Sequence, residues 1–102
     1  MSELRALSHT AALILQTIDN GSRYGFDIMD ATGLPSGTVY PALRRMETEG
    51  IIGSQWESEK KAQSEQRPPR KYYKITHAGA RVLGASQKRY PLVEKLAALK
   101  TR

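Results

Sequence analysis

Residues 35–50, PSGTVYPALRRMETEG, decide how the rest of the chain is read. Val39, Leu43 and Met46 follow at steps of four and three, the spacing of one stripe on an α-helix. The other side carries Thr38, Tyr40, Pro41, Arg44, Arg45 and Thr48. Tyr40, Arg44 and Thr48 stack at i, i+4 and i+8, and Pro41 with Arg45 makes a parallel row. One face suits a core. The other is cationic in its middle. Ser36 and Thr38 both suit the N-cap, where a side-chain oxygen takes up a free backbone N–H. Pro41 favours Thr38, because a proline in the first turn forfeits no hydrogen bond and one a turn deeper does. Gly50 is the natural stop.

Upstream, residues 24–32 form a second short helical pattern, closed by Gly33. Leu34, Pro35, Ser36 and Gly37 join the two. Two short helices on a tight glycine-containing turn predict a helix-turn-helix, whose second helix enters the major groove of DNA. Ser22 can cap the earlier helix. Tyr24, Ile28 and Ala31 form its apolar side, with Phe26 and Met29 flanking, while Asp27 and Asp30 face water. Tyr24 has two readings: a half-buried packing aromatic, or a neighbour of free N–H groups that suit a phosphate oxygen.

Residues 4–19 predict the first helix. Leu4, Leu7, Ala11, Ile14, Leu15 and Ile18 keep a helical stripe, and Ala12 and Leu13 widen it. One face would cover the helix-turn-helix and another could meet a partner. Asn20 and Gly21 end it. His9 reads as a surface or hydrogen-bonded histidine.

After Gly50 the period changes from helical to alternating. Residues 51–57, IIGSQWE, and 70–76, RKYYKIT, predict an antiparallel hairpin. The connection 58–69, SEKKAQSEQRPP, is long for a hairpin, polar and without an apolar anchor, so its tip is expected to be mobile. Lys60, Lys61, Arg67, Arg70 and Lys71 make the segment basic. A basic loop beside a helix-turn-helix is a wing, able to reach the backbone or minor groove of DNA. Thr76 then caps a last helix from about residue 77. Val82 and Leu83 open its apolar face, which Leu92, Val93, Leu96 and Leu99 continue. Pro91 predicts a kink or break near residues 88–90. The fold class is therefore mainly α with a small β-hairpin. Residues 1–76 are expected to form a winged helix-turn-helix with its wing at about 57–71, and residues 77–102 a C-terminal dimerisation helix, the alternative being that this helix packs back onto the chain's own first helix. The dimer interface is expected to draw on Leu4, Leu7, Leu83, Leu92, Val93, Leu96 and Leu99.

The 102 residues suit one domain with a small core. Net charge is +6 and pI about 9.8, but the distribution is uneven. Residues 1–50 hold four Lys/Arg and six Asp/Glu, whereas 51–102 hold twelve and four. A basic half is the footprint of a polyanion binder. Without cysteine there is no disulfide, thiolate nucleophile or cysteine metal site. No apolar run approaches the ~18–20 residues of a membrane span, and no export leader opens the chain. His9 and His77 belong to no ligand-spaced motif, Gly33 and Gly37 are turn glycines rather than a phosphate loop, and no Ser–His–Asp arrangement can be argued. The expectation is a non-enzyme with no metal or cofactor, no membrane partner and a cytoplasmic place.

The run Gly37 to Leu43 (GTVYPAL), Glu47 with Gly50, Trp56, and the set Tyr73, Ile75, Thr76 and Gly79 together resemble the PadR family of bacterial transcriptional regulators, in order and spacing over about residues 4–83. The resemblance implies a homodimer held largely by the C-terminal helix, acting as a repressor on double-stranded DNA at a pseudo-palindromic operator. Many such proteins are relieved by a small hydrophobic or phenolic molecule. The family's recognition-helix start falls on Ser36, Thr38, Tyr40 and Pro41, with Gly37 among them, and its basic row on Arg44 and Arg45. Wing contacts fall on Lys60, Lys61, Arg67, Arg70 and Lys71; Tyr24 belongs to the expected DNA contacts on the N–H argument above, not on the resemblance. Two departures stand out: the chain stops soon after Leu99, as in the short forms, and Pro91 interrupts the dimer helix. Trp56 could line an effector pocket, although a packed strand aromatic is the favoured reading. The rival to operator binding is a winged-helix protein-interaction or architectural module without operator specificity, since a fold alone does not choose a function.

Overall fold

The computed structural model describes residues 7–93 and residue 95. Its elements run α1 (His9–Asp19), α2 (Gly25–Thr32), α3 (Ser36–Thr48), β1 (Ile52–Trp56), α4 (Glu59–Ser64), β2 (Lys71–Ile75) and α5 (His77–Arg89). Helix α1 is buried almost all round through Ala11, Ala12, Ile14, Leu15, Gln16, Thr17 and Ile18. Its breadth, which suggested a face for a partner, is used inside the chain. It begins later than the stripe predicted, because the Ser8 hydroxyl accepts the Ala11 N–H at 3.1 Å and fixes the start there. Leu7 precedes this cap and packs against the core. Leu4 lies outside the described residues.

Two helices end in the same way. After α1, Gly21 takes a left-handed φ of 117°, its N–H reaches Ile18 O at 3.1 Å, and the Ser22 N–H reaches Thr17 O at 2.9 Å. After α3, Gly50 takes φ 77°, its N–H reaches Glu47 O at 3.1 Å, and the Ile51 N–H reaches Met46 O at 2.9 Å. Both are Schellman closures, in which only glycine adopts the reversing conformation without strain. The first consumes Ser22, which is buried there and does not cap α2. The N-cap of α2 is Tyr24, with no side-chain cap bond.

The start of α3 corrects the expectation that Thr38 is its cap. The helix begins at Ser36 on an extended Pro35, whose carbonyl accepts from both Thr38 and Val39 N–H at 3.0 Å. Pro41 therefore lies inside the helix and removes the donor that Gly37 O would have had. Gly37 is exposed, so water can satisfy that carbonyl. The inner stripe Val39, Leu43 and Met46 is buried as the spacing predicts, joined by Ala42.

Strands β1 and β2 pair antiparallel with Ile52 opposite Ile75, Ser54 opposite Tyr73 and Trp56 opposite Lys71. This face runs from the core at Ile52 outward to exposed Trp56. Residues 23 and 24 dock along the other edge of β2: Tyr73 N–H donates to Arg23 O at 2.7 Å, and Tyr24 bridges Tyr72. The hairpin is thereby tied to the entrance of α2.

The connection between the strands is not an unanchored loop. Ser58 caps α4 by accepting the Lys61 N–H at 3.1 Å, and Ala62, only 1% exposed, is the apolar anchor. Thr76 caps α5 as expected, accepting the Gly79 N–H at 3.0 Å, and its hydroxyl lies 2.6 Å from Gly50 O. Helix α5 is not separate from the preceding unit, because Val82 and Leu83 complete the same core as Ile14, Ile28, Leu43 and Ile52. Leu83 is thus buried in the chain's own core, and Leu7 packs partly buried against it. Gln87 Nε2 donates to Gln16 Oε1 at 3.0 Å, joining α5 to α1. The helix breaks at Tyr90, at φ −129° and ψ 70°, since the residue before Pro91 is driven out of the helical region. Tyr90 is itself anchored: its hydroxyl donates to Leu7 O at 2.9 Å and its ring lies against that of His9, centroids 4.0 Å apart and planes tilted by 40°. No described helix is long and apolar enough to cross a membrane.

Candidate nucleic-acid interface

A groove of about 600 Å³ runs between the start of α2, the outer face of α3 and the hairpin. The structure brings six of the predicted contact residues to it: Tyr24, Tyr40, Arg44, Arg67, Arg70 and Lys71. Ser36, Gly37, Pro41 and Arg45 are exposed on α3 outside its lining, and Thr38 is half-buried. Lys60 and Lys61 stand exposed on α4, away from the groove, with Lys61 3.5 Å from Glu65 one turn on.

The basic residues of the wing are not equivalent. Arg67 forms a two-pronged pair with Glu57, at 2.6 and 2.9 Å, and also reaches Glu65 at 2.8 Å. The side chains of Arg67 and Glu57 are 19% and 6% exposed. Such a fork is directional and strong. The Arg67 guanidinium, helped by the Arg70 N–H and the Tyr72 hydroxyl and opposed by burial, holds the Glu57 carboxyl at about 2. The same guanidinium lowers Glu65. Glu57 in turn raises Arg67. Arg67 is therefore a clip that closes the wing. Arg70 lies with its guanidinium 4.1 Å above the Tyr24 ring, and Tyr24 meets Tyr72 edge-on at 5.6 Å. Tyr24 is a half-buried packing aromatic, as the first of its two readings had it, and it stands at the start of α2 beside the groove. Lys71 sits 3.6 Å from Glu47, whose carboxylate also accepts from the Ser54 hydroxyl. Burial, and then the Glu47 charge, raise the Tyr73 phenol.

Arg44 and Arg45 are the exposed cations of α3, one turn beyond Tyr40 and Pro41. Presented on a rigid helix, a guanidinium can make two parallel bonds to a guanine edge or to a phosphate.

Several groove residues were not foreseen. Phe26, expected beside the apolar side of α2, is 68% exposed. The signal was available, because two helical steps separate it from buried Ile28 and turn it about 200° away. Trp56, expected to pack, is 64% exposed, because the hairpin extends beyond the core. Gly25, Glu47, Pro68, Pro69 and Tyr73 also line the groove, brought there by tertiary contacts alone. Among the described residues no group of His, Cys, Asp or Glu could hold a metal ion.

This geometry has relatives. A PadR family transcription regulator from hypervirulent Clostridium difficile R20291 superposes with a TM-score of 0.71 at 26% identity, covering 90% of this chain and 97% of that one. A PadR-like transcription factor from Bacteroides fragilis gives 0.66 at 26%, covering 87% and 86%. A PadR family transcriptional regulator from Eggerthella lenta DSM 2243, at 24% identity and 0.62 over 89% and 83%, shares the fold. Among curated proteins none matches the chain. Residues 14–85 match the PadR-like family of transcriptional regulators, which is a family of regulators and not of enzymes. With its winged helix, its buried α3 stripe and a match spanning most of its length, the chain belongs to that family.

Proposed function

We propose that the protein is a sequence-specific repressor that binds double-stranded DNA as a homodimer on a pseudo-palindromic operator. The observation that carries this reading is the convergence of α3 and the wing. Tyr40 and Arg44 project from one, Arg70 and Lys71 from the other, and they share one groove. A helix in the major groove with a flanking basic wing uses both at once. Arg44 and Arg45 read base edges, and Thr38, Tyr40 and Pro41 set the distance to them. Ser36 and Gly37 at the α3 start, and Tyr24 at the α2 start, lie where free backbone N–H groups meet phosphate. Lys60 and Lys61 add charge that ignores sequence.

Assembly falls to the segment beyond Tyr90. Leu92 is 67% exposed and Val93 half-buried. Leu96 and Leu99 continue their pattern outside the described residues. Release of the operator by a small hydrophobic or phenolic molecule, and a cytoplasmic place beside the nucleoid, complete the reading.

Selection from a random duplex pool at near-physiological salt tests it. An inverted repeat with half-sites one helical turn apart, ~34–36 Å, supports the dimeric repressor. Salt-sensitive binding with no preferred sequence overturns it in favour of an architectural role. Arg44→Ala or Arg45→Ala should flatten the preference for the selected site by ~1–3 kcal/mol. Lys60→Ala with Lys61→Ala should weaken all duplexes alike and lower the salt slope by ~1 per lost contact.

A further inference from the structure

Among the described residues, four large apolar side chains stand exposed: Phe26, Tyr40, Trp56 and Leu92. Three of them line the one groove, and each comes from a different wall: Phe26 from α2, Tyr40 from α3, Trp56 from β1. Duplex DNA does not account for that. Its phosphates ask for cations and N–H donors, and its base edges ask for hydrogen-bonding groups and small methyl contacts. The faces of paired bases are covered by their neighbours. Rings gathered on three sides of an open groove match a ligand that has faces to offer.

The cations are set among the rings. The Lys71 ammonium lies 5.8 Å from the Trp56 ring and 5.8 Å from that of Tyr73, and Arg44 follows Tyr40 by one turn. The acid that lines the groove, Glu47, is engaged by Lys71 and Ser54. Aromatic faces interleaved with positive charge are the chemistry that holds unpaired nucleic acid: bases stack on the rings while the backbone follows the cations. We propose that this groove binds single-stranded nucleic acid, as a second ligand that excludes duplex DNA from the same face. The inference goes beyond operator binding and does not need it, because stacking on Phe26 and Trp56 would persist if no operator were ever selected.

The protein carries its own probe, since Trp56 is its one tryptophan. The full chain would be titrated with a short oligothymidylate, the matching oligouridylate, an abasic oligonucleotide of equal length and a random duplex, following Trp56 emission. Quenching by the base-bearing strands, with little from the abasic strand or the duplex, supports stacking. The tighter of the deoxyribose and ribose strands identifies the source. Phe26→Ala, at an exposed position, should lower single-strand affinity about tenfold and leave the thermal midpoint unchanged. Three results would overturn the proposal: no quenching by either single strand, equal quenching by the abasic strand, or Phe26→Ala binding single strands as tightly as the native chain. A selected operator together with any of these would leave the repressor reading standing alone.

Discussion

The ring of Tyr40 lies against Gly25, in the space that a Cβ at position 25 would occupy. Such a Cβ would come within 2.5 Å of both Cε1 and Cζ of Tyr40 and closer still to its hydroxyl. The outer face of α3 is thus seated on the first residue of α2. Tyr40 hangs from one end and can swing away, so Gly25→Ala should not unfold the protein. Alanine is also the better residue in a helix. The expected result is a thermal midpoint at or slightly above native, with duplex affinity about tenfold weaker, or ~1.4 kcal/mol. Unchanged affinity would show that the position of Tyr40 does not matter to binding.

Gly79 meets a harder obstacle. A Cβ there would collide with the backbone carbonyl of Ile51 and stand 2.8 Å from Ile75 Cγ2. The carbonyl cannot rotate away, because it already accepts the Thr76 N–H at 3.1 Å. Gly79→Ala should therefore cost ~1–3 kcal/mol, the usual range for overpacking. For a domain of this size that lowers the midpoint by roughly 4–8 °C per kcal/mol. Calorimetry that finds no loss would mean α5 can slide away from β1.

The wing clip makes a pH prediction. Glu57 titrates at about 2 in the folded chain, against an ordinary 4.5. A depressed carboxyl gives stability that is complete above its unfolded value and disappears as pH falls toward the folded one. The contribution of the Glu57–Arg67 pair should hold from neutrality down to about pH 4.5 and then fall away toward about pH 2. Glu57→Gln should accordingly be less stable than native protein in urea at pH 7, with the gap narrowing as the pH is taken below 4.5. A gap independent of pH would remove the ionic account of the clip.

These relationships also show what could be read from the chain alone. The buried stripe of α3, the hairpin with its Trp56–Lys71 end, the Thr76 cap and the break before Pro91 all follow local rules of period or backbone chemistry, and each was legible. The start of α3 was not. The proline rule pointed to Thr38, but solvent at Gly37 relieves the cost that the rule counts. Helix α4 was missed because its anchor is one alanine, too small to set a period. Ser8 and Ser22 carry the same cap chemistry, but Ser22 is taken up by the closure at Gly21 and caps no helix. Arg67 read as one more wing cation, since nothing local says that Glu57 will face it across ten residues. The groove was the least legible part, because Gly25, Phe26, Glu47 and Tyr73 meet there only after the core has formed.

Assembly offers the last test, and the anchor of Tyr90 makes it clean. Leu92 is exposed on a chain whose own core is already closed by Val82 and Leu83. The Tyr90 hydroxyl bond to Leu7 O and its tilted ring contact with His9 fasten the end of α5 to the start of α1. Truncation after Tyr90 keeps that fastening and removes Leu92, Val93, Leu96 and Leu99 together. The truncated chain should therefore keep its circular dichroism spectrum and sediment as a monomer. Its affinity for a full inverted repeat should fall to that for a single half-site, because the two half-sites no longer share one ligand. If the truncated chain instead sediments with the same stoichiometry as the full one, the segment beyond Tyr90 is not what joins the copies, and the contact must be sought on another face.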